Sequence, residues 1–356
     1  MVKHTYRLYL NSYEDAETCA MKYDYGSVKD VTIRIGKTGA MISFSTAKPK
    51  DLGAILQVTD RLVQDAIRKA LVCCSLYSGT PIALQAMVVL VDGDPTPHVY
   101  IPPKEGHPFI YCLLDRLERP IASSWQSPAV FHTICSSTKT TEKEDSRFSA
   151  LYSLLSSKAK QYEIERFANL WTSMNSLYSF AAQKASPLLP PTAKGKIRTL
   201  PTEDDKLRFF AMLNGFRFDD FISNDRVAAV LRESELQLAK YREWGPDGFA
   251  CAMAAIARRL GESGLLPMDE EAFVLFWFAY KLRCKYFHGE QPALFFCYAD
   301  DYLLRCLSFV SDRLESFLDR ELPRWLADEH YMDETIRELA PCFHTKSEMQ
   351  NRSGKN

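Results

Sequence analysis

MDEEAFVLFWFAYKLRCKYFHGEQP, residues 268–292, carries the start, the body and the stop of one helix. Asp269, Glu270 and Glu271 suit the positive end of a helix dipole. Gly289 stands where a left-handed cap is wanted, and Pro292 prevents continuation. Between them AFVLFWFAY, 272–280, is apolar on nearly all sides, as a helix at the centre of a bundle must be. The run is too short to span a bilayer. Charge enters only in the final turns, as Lys281, Arg283, Lys285 and His288, which puts the cations at the rim.

Working outward, the apolar period predicts further helices over 148–182, 203–213, 225–240, 246–259 and 298–326, with SPLLPPTAKGKIRTLP, 186–201, as a long loop. In the last of them Leu303, Leu307, Val310, Leu314 and Phe317, followed by Glu321 or Leu322, step by three and four into one core-facing stripe. The polar stretch SSTKTTEKEDS, 136–146, has no apolar period and separates this all-α part from a different one. Before it, YRLYL (6–10), VTIRI (31–35) and MISFS (41–45) alternate as strands, with GKTG as a hairpin turn between the last two. Apolar residues from Leu52 to Tyr77 then take a helical period, SGTP breaks it, IALQAMVVLVDGD reads as a buried strand ending in a turn, and HVYIP as a further strand. The expected organisation is an α+β domain over 1–135, a linker over 136–147, a helical bundle over 148–330 and an extension with a mobile tail over 331–356.

Composition sets wider bounds. With 46% hydrophobic and 25% charged residues the chain is that of a folded protein, and its net charge of -1 offers no global field for a polyanion. Any such site must be built locally. The first twenty residues lack the blocks of a signal peptide, so a cytoplasmic location without membrane contact is expected. Ten cysteines without a CxxC pair read as reduced, mostly buried thiols.

Three readings of the rim cations stay open. They can neutralise the negative end of the helix dipole, at about 0.3 to 1 kcal/mol each. Cys284 and His288, four apart, with Cys297 nearby, sketch a weak zinc pattern. Alternatively an arginine and a histidine at one rim can hold a phosphodiester, Arg283 stabilising charge on phosphate oxygens and His288 moving a proton near neutral pH. One such pair is half a machine, because in-line attack by a ribose hydroxyl needs a base and an acid; a homodimer would supply the second copy. His4, His98, His107, His132, His330 and His344 share no motif with a nucleophile or carboxylate. Glu203, Asp204 and Asp205 read as the capped first turn of a helix rather than a metal site. No Walker loop, GxGxxG or GxSxG occurs, and the aromatic runs take a helical period that suits a core.

Arg283 and His288, spaced R-x4-H at a helix end and followed by Gly289, resemble the signature of the HEPN superfamily of all-helical domains. LRCKYFHGE is close to the Arg-Cys-Asn-Leu-Phe-His-Gly form of one abortive-infection, Apea-like group, and IERFANLWTSMNSLYSF, 164–180, resembles that group's first helix through Trp171, Asn175, Leu177 and Tyr178 in W-x3-N-x-L-Y order. The likeness covers about 148–327. It departs at Cys284, where many active members have Asn, Asp or His, and at Lys285, where the close group has Asn. The resemblance implies a HEPN-like bundle and a metal-independent endoribonuclease, without cofactor, that acts as a homodimer on RNA and leaves a cyclic phosphate. Such proteins often serve in prokaryotic defence or toxin systems with a regulatory or antitoxin partner. Carried over, Arg283 would hold the scissile phosphate and His288 would be the general acid or base. Lys285, outside the motif, would add phosphate affinity or remain a solvated surface residue, Trp171 would pack, and Asn175 would orient the site. The alternative is a non-catalytic HEPN-like dimerisation, RNA-binding or regulatory module.

Overall fold

The structure is a computed structural model that describes residues 4–11, 19–25, 28–35, 39–46, 61–81, 84–100, 116–127, 129–131, 146–185, 279, 283, 301–328, 330 and 333. The chain divides into two compact units, one of Met1–Gln161 with Asp319–Asp328, the other of Tyr162–Leu318 with Glu329–Asn356. Of the stretch expected to separate two domains, only its end, from Ser146, lies among the described residues.

The first unit is organised on an antiparallel sheet of six strands. These are β1 (His4–Asn11), β2 (Cys19–Tyr25), β3 (Val28–Ile35), β4 (Gly39–Thr46), β5 (Leu84–Val91) and β6 (Asp94–Tyr100), in the order β2-β3-β4-β1-β5-β6. The alternation in β1 buries Tyr6, Leu8 and Leu10 completely and leaves Arg7 exposed. Register extends that face across the sheet, because Tyr6 stands opposite Phe44 and Val89, Leu8 opposite Ile42 and Met87, and Ile42 opposite Ile33. The Tyr6 and Phe44 rings stack with centroids 5.0 Å apart. β5 and β6 are joined by Asp92 and Gly93, where Gly93 at φ 86° takes a left-handed dihedral that glycine adopts without a Cβ penalty.

Helix α1 (Arg61–Ser78) packs on β3 and β4 and also on a second helix, α2 (Ser146–Lys158). Cover on both sides explains why LVCCSL, 71–76, is buried at six consecutive positions instead of along one stripe. Cys73 and Cys74 are among them and take part in no disulfide. Gly79 ends the helix at φ 71° with its N–H on the Ser75 carbonyl, a left-handed cap.

The single helix expected over 148–182 is two, α2 and α3 (Glu163–Ala185). To continue, a helix would need the Lys158 carbonyl for the N–H of residue 162. That oxygen is taken instead by the N–H groups of Glu118 and Arg119, at 2.9 and 3.2 Å, while Ala159 and Lys160 bond three residues back in a tightened last turn. The break is thus made by a segment some forty residues away in sequence.

The same segment receives the end of α4 (Asp301–Ala327), whose buried stripe runs Leu307, Val310, Leu314, Phe317, Leu318, Leu322, Trp325 and Leu326. Pro323 lies inside α4 and has no N–H to give to the Asp319 carbonyl. The Ser124 hydroxyl donates to that carbonyl at 2.9 Å. The Asp319 carboxylate accepts the Trp125 indole N–H on one oxygen and the Lys158 ammonium on the other, both at 2.8 Å. Lys158 is fully buried and Asp319 is 15% exposed, so neither charge has bulk water as an alternative partner.

Removing one member of this pair leaves an uncompensated buried charge. Lys158→Ala or Asp319→Ala should each destabilise the fold by about 3 to 5 kcal/mol in a denaturant titration, against about 1 kcal/mol for Ser124→Ala. The double variant Lys158→Met/Asp319→Leu should recover most of that loss; equal destabilisation by the double and single variants would contradict the assignment.

Candidate functional site

Helix α3 opens with Glu163 and Glu165 in its first turn, acidic residues at the positive end of the dipole. Ile164, Phe167, Leu170, Trp171, Met174 and Leu177 then repeat by three and four and are all buried. The Phe167 and Trp171 rings lie 6.4 Å apart, and Trp171 is 5% exposed, which agrees with a packing role. Its indole Nε1 finds no hydrogen-bond partner among the described residues. Asn175 follows one turn later and is half-buried.

Arg283 is helical and half-buried, and Ala279, one turn earlier, is helical and fully buried. Burial thus differs between these two positions, in the stretch where charged residues first enter the sequence after Tyr280. Arg283 and Asn175 belong to the same compact unit. Lys285 and His288 lie outside the described residues, as do Cys284 and Cys297 of the zinc pattern and Glu203, Asp204 and Asp205.

A second arginine of this unit has a different fate. Arg166 on α3 donates from Nη1 to Glu163, from Nη2 to Asp312 at 2.6 Å, and from Nε and Nη2 to one oxygen of Glu315 at 3.1 and 2.8 Å. Its side chain is 2% exposed. Burial works to lower its pKa, but the charges of Glu315 and Glu163 and hydrogen bonds to Glu315 and Asp312 outweigh it, so the net shift is upward. A cation with a raised pKa contributes stability below its unfolded value and loses it only as pH rises through the folded one. For an arginine that window lies at extreme alkalinity, and the guanidinium stays charged wherever the chain folds. With every nitrogen engaged, it clamps α3 to α4 and has no face left for a phosphate.

No motif marks Arg166. Its only local signal is the spacing Glu163 to Arg166, and the partners Asp312 and Glu315 come from a helix far along the chain. Among the described residues no group of three His, Cys, Asp or Glu side chains could hold a metal ion, and no helix is long and apolar enough to cross a membrane.

The three carboxylates of Arg166 should not count equally. Asp312 is 63% exposed, and Asp312→Asn should change stability by less than about 0.5 kcal/mol. Glu315, 12% exposed and doubly bonded, should cost about 1.5 to 3 kcal/mol as Glu315→Gln. Thermal unfolding of the two variants side by side checks that order. Comparison with protein-family models, with curated proteins and with solved structures finds no match to this chain.

Proposed function

We propose that the chain is a HEPN-type, metal-independent endoribonuclease of a prokaryotic defence or toxin system, working in the cytoplasm as a homodimer. The observation that carries this reading is the ordered pair of motifs, W-x3-N-x-L-Y over 171–178 and R-x4-H over 283–288. Two features of the second unit support it. The first motif lies within the continuous helix α3, and Arg283 is helical with a side chain that is neither sealed in the core nor wholly in water. Half-burial strengthens the attraction between a guanidinium and a phosphate while leaving the phosphate access.

In the proposed reaction a ribose 2′-hydroxyl attacks the adjacent phosphorus. His288 of one protomer takes its proton, the P–O5′ bond breaks, and the partner's His288 protonates the leaving 5′-oxygen. The products are a 2′,3′-cyclic phosphate and a 5′-hydroxyl end. Arg283 holds the non-bridging oxygens as charge grows on them, Lys285 adds affinity for the backbone, and Asn175 orients the site. The first unit, with its antiparallel sheet, is the candidate for trigger sensing, substrate positioning or restraint. A second reading, a non-catalytic dimerisation or RNA-binding module, is favoured by one observation, Cys284 after the arginine where many active members carry Asn, Asp or His.

Purified protein incubated with mixed single-stranded and structured RNA in excess EDTA decides between them. Wild type should cut and leave cyclic-phosphate ends. His288→Ala should slow cutting by roughly 10² to 10⁴ and Arg283→Ala by roughly 10² to 10³, with unchanged unfolding midpoint and dimer content. Equal cutting by wild type and His288→Ala would remove His288 from the mechanism. Absence of cutting with intact, dimeric protein that still retains RNA would favour the non-catalytic module.

A further inference from the structure

The contacts around Asp319 differ from ordinary core packing in what they make conditional. Pro323 leaves the Asp319 carbonyl without its helical donor, and that carbonyl is satisfied from outside the helix by Ser124. Both the carbonyl and the carboxylate of Asp319 therefore take donors from 116–127 when the end of α4 is seated there. On the other side of the socket, Lys158 is fully buried and donates to Asp319 and to the Pro120 carbonyl. Glu118 and Arg119, in the same segment, donate their backbone N–H groups to the Lys158 carbonyl. Leu322, Trp325 and Leu326 are buried along with it.

We propose that residues 319–328 form a latch that is either seated or released as a whole, while the sheet of the same unit stays folded. The physical basis is the ion pair. If the end of α4 lifts, the ammonium of Lys158 cannot remain buried without its carboxylate, so the socket segment 116–127 must open to water in the same step. Partly seated states would strand the buried charge of Lys158 or the Trp125 N–H, and are disfavoured. Opening is thereby all-or-none and confined to the elements that share the network. The sheet, held by its own apolar face of Tyr6, Leu8, Ile42 and Phe44, contributes no residue to these bonds.

Native-state hydrogen exchange on the full-length protein, in increasing sub-denaturing urea, tests the latch. Amides of 319–328, 116–127 and the last turn of α2 should exchange through a single opening, at least about tenfold more often than amides of β1 and β4. Asp319→Asn should speed exchange in those segments by at least about tenfold and leave the β1 and β4 rates within about twofold. Lys158→Met/Asp319→Leu, which removes both charges but leaves the Trp125 N–H without its acceptor, should bring the rates most of the way back to wild type. The proposal is overturned if the three segments exchange with β1 and β4 at every urea concentration, or if they open independently of one another. Should Asp319→Asn fail to fold, the wild-type urea series decides alone. None of these readouts depends on RNA cleavage, so the latch and the nuclease reading stand or fall separately.

Discussion

A buried ammonium and a nearly buried carboxylate, Lys158 and Asp319, meet at 2.8 Å where separate segments of the first unit join. Burying the two charges costs more free energy than an apolar pair would, so they stabilise only in the geometry that also satisfies their remaining hydrogen-bonding capacity. That geometry fixes three segments at once. It sets the C-terminal turn of α2 through Lys158, the 116–127 segment through Pro120, Ser124 and Trp125, and the end of α4 through Asp319 and Pro323. The break between α2 and α3 follows from the same arrangement, because the segment that meets Asp319 also supplies the N–H groups that occupy the Lys158 carbonyl.

Arg166 solves the corresponding problem in the second unit with a different ion. A guanidinium spreads its charge over a planar fork and can serve several carboxylates together, which Lys158 with its compact ammonium does not do. Arg166 accordingly gathers Glu163, Asp312 and Glu315, from its own helix and from α4. Asp312 is mostly in water and its attraction is screened, whereas Glu315 and Glu163 are enclosed and carry the upward shift of the arginine. Both clusters are consumed by architecture: their donors point at protein oxygens, and their exposure is too low for a substrate.

Much of the sheet is legible in the residues, and the reason is periodicity. The segments at 6–10, 31–35 and 41–45 fall in β1, β3 and β4, whose alternate residues Tyr6, Leu8, Leu10, Val31, Ile33, Ile42 and Phe44 are buried; β4 also buries Met41 and Ser45 on its other face. CAMKYDY of β2 alternates as well, Met21, Tyr23 and Tyr25 against Lys22 and Asp24, a strand signal that the assignments from periodicity leave out, and it pairs with β3. The strand at HVYIP begins earlier, at Asp94, since the Asp92–Gly93 turn fixes where pairing with β5 resumes. Neither the Lys158 carbonyl nor the Asp319 network leaves a local mark, because each depends on partners that sequence distance hides. At the candidate site, Trp171 is buried, in keeping with the packing role expected of it, and Arg283, in the turns where charge enters the helix, is half-buried. The chemical assignments of Arg283, His288 and Asn175 come from motif resemblance, and that of Lys285 from its charge beside the motif; neither carries geometry.

Helix geometry itself supplies one more step. Each residue of an α-helix turns by about 100°, so an arginine and a histidine five apart on a regular helix diverge by about 140°. Two such side chains on one protomer do not meet at one phosphate while the helix stays regular. Either the last turn unwinds at the Gly289 stop, which a left-handed cap permits, or the histidine is met by the arginine of a second copy. The 2′-hydroxyl reaction also asks for two proton-transfer groups on opposite sides of phosphorus, and R-x4-H carries one histidine. On the proposed reading the spacing is met by either arrangement, and the stoichiometry of the chemistry favours the second, a site completed by a second protomer.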